Sequence, residues 1–281
     1  MTSGALVSIC MPAYNARPFI GSAIDSVLRQ DFDDWELLIV DDASTDGTWD
    51  IIRQYTDRRI TARRREQNRG AEYTWNEAVG LATGRYVKLM CDDDELYPAC
   101  LRKQVEVFEA DRDDRLALVT DVRHIIDARG KLIMVRAFPD RGRRVEGRRA
   151  MVRCFWGAAN LIGDPTAVMF RREMFAAVGG FSARLPYVID LDLWFRLLTR
   201  GDLFAVDEPL HRWRVSGQAW TAKLARQQYN QTVAFLREYR VAQPDVAGAA
   251  GWLWVRLRCL GNTLLRRLFY RMHVARRRPE G

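Results

Sequence analysis

The sequence is poor in the residues that build metal or disulfide centres. Its three histidines are scattered, so no histidine-based metal site is predicted. It has no C-x-x-C pair, and the number of cysteines is odd. Both facts argue against a disulfide framework and against a zinc ribbon, and they indicate reduced thiols in a cytoplasmic protein. The five cysteines are residues 10, 91, 100, 154 and 259.

Long apolar runs are also missing. The amino terminus, MTSGALVSICMP, has neither a basic segment nor a long apolar core, so no signal peptide is predicted. No apolar run reaches the length of a membrane span. There is no internal repeat and no low-complexity tract. Hydrophobic residues nevertheless make up 48% of the 281 residues, which is enough for one large folded domain with an appendage.

The formal net charge of +8 is concentrated at the carboxyl terminus. Residues 251–281 contain eight arginines, no lysine and one glutamate, which gives +7. The other 250 residues hold 36 basic and 35 acidic side chains, which gives +1. Because the body of the chain is balanced, its basic character does not indicate nucleic-acid binding, and no nucleic-acid partner is predicted.

Strand and helix patterns alternate in the first half of the chain. Predicted strands LVSICMP, WELLIV, RITARRR and RYVKLM alternate with predicted helices FIGSAIDSVLRQ, TDGTWDIIRQYT, AEYTWNEAVGLATG and ACLRKQVEVFEA. This alternation predicts an α/β fold with a mostly parallel central sheet covered by helices on both faces.

The second half is less regular. RLALVTDVRHIID and KLIMVRAF flank ARG and predict a hairpin; PTAVMFRR predicts a strand and IDLDLWFRLLTRG a helix. FAVDEPLHRWRV predicts strand pieces interrupted by Pro209. A long helix, AKLARQQYNQTVAFLREYR, precedes QPDVAGA, the most linker-like stretch.

Polar side chains follow each of the first four predicted strands. PAYN follows the first, Asp41 and Asp42 the second, EQNRG the third, and residues 92–94, all aspartates, the fourth. Ligands of open parallel sheets bind at the carboxyl ends of the strands. The sequence therefore predicts a polar site at one edge of the sheet.

The stretch Asp42–Gly47 resembles the front of a calcium loop, but Arg53 stands where the last carboxylate ligand is required. Calcium is therefore excluded. Ser44 or Thr45 is predicted to cap the following helix, with Asp46 in its first turn. Asp41 and Asp42 at the strand end are predicted to accept hydrogen bonds from a base N–H or a ribose hydroxyl, and the alternative is a purely structural role.

Two further acidic clusters have two interpretations each. Asp92 and Asp94 form a D-x-D pair that suits Mg²⁺ or Mn²⁺ with a diphosphate, and the alternative is a solvated acidic turn. Asp190 and Asp192 precede an apolar helical face. One of them caps the helix, or one is free to act as a general base.

Together these segments resemble family 2 glycosyltransferases over residues 6 to about 220. The resemblance rests on VSICMPAYN, ELLIVDDASTDGTWDII, NRGAEYTWNEAVGLATGRYVKLMCDDDELYP, DPTAVMFRREMFAAVGGF and IDLDLWFRLLTRG, which occur in that order. It implies a GT-A fold and an inverting transfer of sugar from a nucleotide-sugar to an acceptor hydroxyl, assisted by Mg²⁺ or Mn²⁺. It also implies a glycosyltransferase domain over residues 1–240, with a nucleotide-binding half at about 1–110 and an acceptor-side half at about 111–240. Residues 241–281 then form a linker and a basic amphipathic helix.

The resemblance also assigns residues. It makes Asp190 the general base, Asp94 the main metal ligand and Asp92 a ribose or second metal contact. The remaining nucleotide-binding positions are Pro12, Tyr14, Asn15, Asp41, Asp42, Arg69, Asn76 and Asp93. The acceptor and sugar positions are Asp164, Pro165, Thr166 and Trp194.

The chain departs from the family pattern at two places. Ile189 precedes the base where the family commonly has Glu, and Ser216 stands where many members carry a His. The donor is expected to be a UDP-, dTDP- or GDP-sugar and the acceptor a glycan or a lipid-linked glycan of surface-polysaccharide assembly. Two rival functions stay open, a sugar-phosphate nucleotidyltransferase and a non-catalytic nucleotide-sugar binding protein. PAYNARPF is not the glycine-rich basic loop that the first requires, and the retained Asp94 and Asp190 argue against the second.

The tail carries an apolar helical stripe among its arginines. Two interpretations are open: a helix that packs on the catalytic domain or on another subunit of a homo-oligomer, or a helix that lies on an anionic membrane surface. The second would make the cytoplasmic protein peripheral to the membrane. The stripe is formed by Leu253, Leu257, Leu260, Leu264, Leu268 and Met272.

Overall fold

The computed structural model describes residues 5–216, 224 and 226–273. Its strands are β1 (Val7–Ala13), β2 (Trp35–Asp41), β3 (Ile60–Arg64), β4 (Tyr86–Leu89), β5 (Glu95–Leu96), β6 (Leu116–Asp127), β7 (Leu132–Arg136), β8 (Arg143–Val145), β9 (Met169–Arg171) and β10 (Asp202–Val215). Its α-helices are α1 (Ile20–Leu28), α2 (Thr48–Ile52), α3 (Ala71–Gly80), α4 (Cys100–Glu109), α5 (Gly147–Gly157), α6 (Arg172–Ala177), α7 (Ile189–Leu198), α8 (Gln228–Ala242) and α9 (Ala249–His273).

All of these strands belong to one sheet, with the order β3-β2-β1-β4-β9-β6-β10-β5. Strands β3, β2, β1 and β4 are parallel, β9 runs antiparallel between β4 and β6, and β6 and β10 are parallel. The predicted α/β fold with a mostly parallel sheet in its first half is confirmed. The chain order reverses at β1, which has β2 on one side and β4 on the other.

Strands β1 and β2 are buried on both faces, which explains their continuous apolar sequences. Ile9 and Met11 belong to a core cluster with α1, α2 and α4, whereas Cys10 belongs to the cluster with α3, α5 and α7. Alternate side chains of a strand point to opposite faces. The two clusters are thus the two interfaces between the sheet and its helical layers.

The second half confirms the predicted hairpin, since β6 pairs antiparallel with β7. The prediction that Pro209 divides residues 204–215 into separate strand pieces was wrong. Strand β10 is continuous from Asp202 to Val215, and its register with β6 shifts on both sides of Pro209. Because proline has no N–H to donate, the irregular pairing accommodates it without ending the strand.

The predicted linker is packed against the rest of the chain. A short 3-10 turn covers Pro244–Val246, and Val246 and Ala247 belong to the core cluster that contains α5 and α7. Helix α9 follows and buries Val255 and Cys259 in the same cluster. Among the described residues, no helix is both long and apolar enough to cross a membrane.

Candidate active site

The site lies where the carboxyl ends of β1 and β4 diverge. The backbone N–H of Tyr14, just after β1, donates to Asp92 Oδ2 at 2.9 Å, just after β4. This contact joins two of the predicted segments across the point where strand order reverses, which is where open α/β sheets bind ligands. The Tyr14 side chain is 44% exposed at this edge, whereas Pro12 is buried within β1.

Asp41, the last residue of β2, is completely buried. Its Oδ2 accepts from the Ser44 N–H at 3.2 Å and lies 3.4 Å from Arg64 Nε. Its other oxygen, Oδ1, is buried and has no hydrogen-bond partner among the described residues. Burial raises the pKa of this carboxyl above its usual value. An unpaired buried carboxylate oxygen is costly, so it marks a position where a ligand donor fits.

The carboxylate of the neighbouring Asp42 binds the backbone of the loop that contains Arg69 and Gly70. Its two oxygens accept from the backbone N–H groups of Arg69 at 2.9 Å and Gly70 at 2.8 Å. The Arg69 guanidinium stacks over the Tyr73 ring, 4.2 Å from its centroid. Asp42 thus presents Arg69 at the site edge, and Asp41 is the carboxylate left to meet a ligand.

The loop after Asp42 is fastened to the loop after β1. The Asn15 N–H donates to Ser44 Oγ and the Thr45 N–H donates to Asn15 Oδ1, both at 2.9 Å. The prediction that Ser44 or Thr45 caps the next helix was wrong, because these contacts use both residues elsewhere. Asp46 was predicted in the first turn of this helix, but it precedes the N-cap Gly47, and its Oδ1 accepts from the Thr48 N–H at 3.0 Å.

The three acids after β4 have different surroundings. Asp94 is completely buried, and its oxygens accept from the Arg214 N–H at 2.8 Å and from Thr166 Oγ1 at 2.6 Å. Asp92 and Asp93 are half-buried. No hydrogen bond reaches the Asp93 carboxylate from the residues that the structure describes, although the Asp93 carbonyl accepts from Arg214 Nε at 2.8 Å. Burial raises the pKa of Asp93 to about 6, and burial together with the Asp93 charge raises that of Asp92 to about 8.

The segment 164–166, which was predicted to face the sugar and the acceptor, packs against this cluster. Thr166 Oγ1 accepts from the Cys91 N–H at 3.0 Å, so its own proton is directed to Asp94. Pro165 and Thr166 are buried and begin a short 3-10 turn, in which the Ala167 N–H donates to Asp164 Oδ1 at 3.2 Å. Thr166 therefore supports the acidic cluster, in contrast to its predicted place against the sugar.

His211 was not among the predicted site residues, yet it lies in the centre of the buried network. Its Nδ1 is 2.7 Å from Asp121 Oδ1 and its Nε2 is 3.2 Å from Asp164 Oδ1. Burial alone would lower the pKa of His211, but the two carboxylates outweigh it and raise the pKa to about 10. The raised pKa favours the protonated form of His211, which lies between the two carboxylates, although Nε2 makes no hydrogen bond within the described residues. Asp164 Oδ2 still lacks a hydrogen-bond partner within the described residues, with Arg123 Nη1 at 3.7 Å.

Asp190 is half-buried in the first turn of α7. Its Oδ1 accepts from the Leu191 N–H at 2.7 Å, and its Oδ2 accepts from Asn160 Nδ2 at 2.9 Å. Burial raises the pKa of Asp190 to about 6. Neither acid of the pair caps the helix, because the N-cap is Val188 and Asp192 forms an ion pair with Arg196 at 2.6 Å. The general-base role of Asp190 stays a prediction.

Trp194 and Asn76 were predicted to contact ligands, and in the structure their side chains hydrogen-bond to backbone groups of the protein. Trp194 is completely buried, and its Nε1 donates to the Gly163 carbonyl at 3.0 Å. Asn76 exchanges two hydrogen bonds with the Phe181 backbone, at 2.9 and 2.8 Å. In this structure both side chains hold loops in place, which differs from the direct ligand contacts predicted for them.

The acids suit a divalent cation that shares its ligands with a bound phosphate. Within residues 5–216, 224 and 226–273, no three His, Cys, Asp or Glu side chains could surround a metal ion by themselves. Mg²⁺ and Mn²⁺ sites often use only one or two carboxylates and complete the shell with phosphate oxygens and water. Asp93 and Asp92 are the accessible carboxylates for this, because both oxygens of Asp94 are already hydrogen-bonded inside the protein.

Comparison with known proteins gives the family of the chain. The sequence profile of "Glycosyl transferase family 2" matches residues 8–179, more than half of the chain. The chain belongs to this family. Its matched part contains β1 to β4, the acidic cluster and the segment 164–166, whereas Asp190 and His211 lie beyond it.

Two bacterial relatives match shorter stretches. One is the putative teichuronic acid biosynthesis glycosyltransferase TuaG of Bacillus subtilis (strain 168), 47% identical over 103 residues, which are 36% of this chain and 41% of TuaG. The other is the Escherichia coli UDP-Glc:alpha-D-GlcNAc-diphosphoundecaprenol beta-1,3-glucosyltransferase WfaP, 36% identical over 107 residues, 38% of this chain and 43% of WfaP. Each match spans less than half of the relative's length.

A solved structure shares the fold over almost the whole chain. It is the mannosyltransferase PcManGT from Pyrobaculum calidifontis in complex with GDP-Man and Mn²⁺. It superposes with a TM-score of 0.62 at 19% identity and covers 96% of this chain and 76% of that one. The GT-A fold predicted from the sequence is confirmed, including a carboxyl-terminal helix beyond the sheet.

Proposed function

We propose that this glycosyltransferase-family protein transfers a sugar from a nucleoside-diphosphate sugar to an acceptor hydroxyl with inversion. The observation that carries the proposal is that hydrogen bonds at the two ends of one short backbone segment, residues 160–166, connect its base and its acidic cluster. Asp190 accepts from Asn160, Asn160 donates to the Gly163 carbonyl at 2.7 Å, and three residues later Thr166 donates to Asp94. A proton acceptor and a diphosphate site are thus held in one rigid assembly.

The nucleotide end of the donor is assigned to Asp41. Its buried, unpartnered Oδ1 matches an N–H of a nucleobase. Asn15, Tyr14 and Asp92 line the same edge and are assigned to the base and ribose, with Arg69 nearby to meet the phosphates. Because one acceptor oxygen can pair with the N–H of several bases, UDP-, dTDP- and GDP-sugars all remain candidates.

The metal-ligand assignment moves from Asp94 to Asp93, with Asp92 beside it. Mg²⁺ or Mn²⁺ held by these carboxylates would supply Lewis-acid stabilisation of the leaving group. Asp94 holds the Arg214 and Thr166 contacts that shape the loop, so it positions Asp93. Burial raises the pKa of Asp93, and a nearby cation favours the ionised form.

Asp190 is assigned the role of general base. It removes the proton from the acceptor hydroxyl as the hydroxyl oxygen bonds to the anomeric carbon, and the bond from that carbon to the diphosphate oxygen breaks on the opposite face. Nucleoside diphosphate leaves, and Asp190 carries the proton. Asn160 donates to one Asp190 oxygen and orients the carboxylate.

The acceptor is assigned to the same class as that of WfaP, whose name specifies a diphosphoundecaprenol-linked sugar. Together with the teichuronic acid biosynthesis named for TuaG, this supports a lipid-linked glycan acceptor in polysaccharide assembly. A cytoplasmic enzyme that works at the membrane face is consistent with that acceptor.

The direct test is a donor screen. Purified protein is incubated with Mn²⁺ and individual UDP-, dTDP- and GDP-sugars, and release of the nucleoside diphosphate is measured with and without a diphosphoprenol-linked sugar. We expect acceptor-dependent release with one donor class and inverted configuration at the anomeric carbon. Pyrophosphate-dependent nucleotide exchange without sugar transfer would instead indicate a nucleotidyltransferase, and binding without either reaction would indicate a binding protein.

A further inference from the structure

Helix α9 has two opposite faces, and only one of them packs on the protein. Val255, Cys259 and Thr263, spaced by four residues, are buried against the rest of the chain. On the same side, Asn262 Nδ2 donates to the carbonyls of Gly157 and Ala158 at 2.9 and 3.1 Å. This face fixes the helix to the domain.

The opposite face is apolar and exposed. We call its core the leucine stripe. At 3.6 residues per turn, its centre lies about half a turn from the buried face. Of thirteen exposed large hydrophobic side chains in the described part of the chain, eight are on this helix. Such a contiguous exposed patch marks an interaction surface. The stripe comprises Leu253, Leu257, Leu260, Leu264 and Leu268, with exposures of 44–56%.

Arginines border the stripe on both sides. By helical geometry Arg256 and Arg267 lie along one edge and Arg258 along the other. All three are exposed. Residues 249–273 contain five arginines and neither aspartate nor glutamate. The face therefore combines an apolar centre with a purely cationic border.

We propose that the leucine stripe and its arginine border dock on an anionic lipid surface. The charge pattern selects this occupant. A second copy of the same helix would bring cationic borders together with no acid in either helix to pair with them, which disfavours self-association. Anionic headgroups neutralise the border while the leucines enter the headgroup boundary, and the helix lies in the interface plane.

The helix also lies directly behind the acceptor side of the proposed active site. Its buried face bonds to Gly157 and Ala158, just ahead of Asn160. Arg266 donates to the Tyr187 hydroxyl, three residues before Asp190. Docking through the leucine stripe would hold the acceptor side of the site close to the lipid surface. The docking proposal itself does not depend on glycosyl transfer.

Vesicle flotation of the full chain tests the proposal without any enzymatic readout. The probes are phosphatidylcholine vesicles with and without phosphatidylglycerol. The wild type is expected to float with the anionic vesicles and to be released as salt is raised. Leu257→Ser combined with Leu264→Ser is expected to weaken binding about 100-fold, at about tenfold per leucine. Arg256→Gln combined with Arg267→Gln is expected to weaken it about 30-fold.

Val241→Ser is the matched control, because Val241 is equally apolar and 70% exposed but lies on α8. It is expected to float as the wild type does. Thermal melting establishes whether each variant is folded. If the double leucine variant does not fold, the double arginine variant tests the proposal. Failure of the wild type to float, or equal flotation with both vesicle types, overturns the proposal. A wild-type dimer in light scattering that the leucine substitutions dissociate, without vesicle binding, also overturns it and makes the stripe a subunit interface.

Discussion

Asp190 shows how a carboxylate is made into a base near neutral pH. Burial at the start of α7 raises the pKa of Asp190 to about 6, and Asn160 and the Leu191 N–H stabilise the ionised form against that rise. A base is most useful when its pKa is close to the working pH. The environment of Asp190 therefore fits the proton transfer assigned to it.

The pH dependence of transfer follows from this pKa. Asp190 acts in its ionised form, so kcat/KM is expected to be flat above about pH 7 and to fall about tenfold per unit below about pH 6. Initial rates measured from about pH 4 to about pH 8 at saturating metal would check it. A profile unchanged down to about pH 4.5, near the ordinary pKa of an aspartate, would contradict the assignment.

Asp93 and Asp94 are expected to respond differently to the same substitution. Asp93→Ala removes an accessible carboxylate without breaking a described hydrogen bond, so Mn²⁺ affinity in the presence of nucleotide should fall with little change in melting temperature. Asp94→Ala leaves the Arg214 N–H and the Thr166 hydroxyl buried without an acceptor, which should destabilise the fold by about 2–4 kcal/mol.

Titration calorimetry with Mn²⁺ and the nucleoside diphosphate, beside thermal melts, measures both quantities. The assignment of the metal to Asp93 fails if Asp93→Ala binds Mn²⁺ as the wild type does while a folded Asp94→Ala does not.

Sequence reasoning could place residues that lie at the end of a strand or at the start of a helix. Asp41, Asp92 and Asp190 were found because their neighbours in sequence fix their place at a sheet edge or a helix start. The different roles proposed for Asp93, as metal ligand, and Asp94, as internal hydrogen-bond acceptor, were not predictable. They depend on Arg214, which lies 120 positions after Asp94, in β10. His211 was missed for the same reason, since its partners Asp121 and Asp164 are distant in sequence. The β6–β10 pairing brings Asp121 next to His211, and Asp164 reaches it from the segment before β9.

At the scale of elements, the loops around the site are held by a few side chains that bind backbone. Asn76 of α3 is an example, since it fastens the loop that precedes α7 through the Phe181 backbone. Gly180 makes this contact possible. It adopts a left-handed φ of 74°, and a Cβ there would lie 2.5 Å from Asn76 Oδ1.

Gly180→Ala is therefore expected to destabilise the protein more than Gly179→Ala. Both glycines have a left-handed φ, but a Cβ at Gly179 meets nothing within 4 Å. The control should cost about 1 kcal/mol from backbone strain alone, and Gly180→Ala at least about 2 kcal/mol more, because the Asn76 hydrogen bonds must also break. Urea unfolding of the two variants gives the difference. Equal losses would mean that Asn76 does not hold this loop.

The prediction of strands and helices succeeded where the hydrophobic pattern of the sequence was clear. It failed where contacts between distant residues determine where an element begins or ends. The four parallel strands and the β6–β7 hairpin were predictable from apolar runs and turn residues. The continuity of β10 through Pro209 was not, because the bulge depends on how β6 pairs with it. The helix start at Thr48 was likewise displaced, because Ser44 and Thr45 bond across to Asn15.

At the scale of the whole molecule, the two halves of the chain meet in the site. The first half supplies Asp41 and the acidic cluster at the ends of parallel strands. The second supplies Asp164, Asp190 and the buried His211, and the Thr166–Asp94 and Arg214–Asp94 contacts join the two halves. One bound donor would span both halves of the chain. Its diphosphate would lie between the nucleotide contacts of the first half and the general base Asp190 of the second half.

The most direct test of this account compares Asp190→Asn with the wild type in two assays on the same preparation. Nucleoside-diphosphate binding with Mn²⁺ is measured by calorimetry, and sugar transfer is measured by nucleotide release with acceptor present. The account predicts unchanged nucleotide affinity and a loss of transfer of at least about 1000-fold. Transfer by Asp190→Asn at the wild-type rate would contradict it.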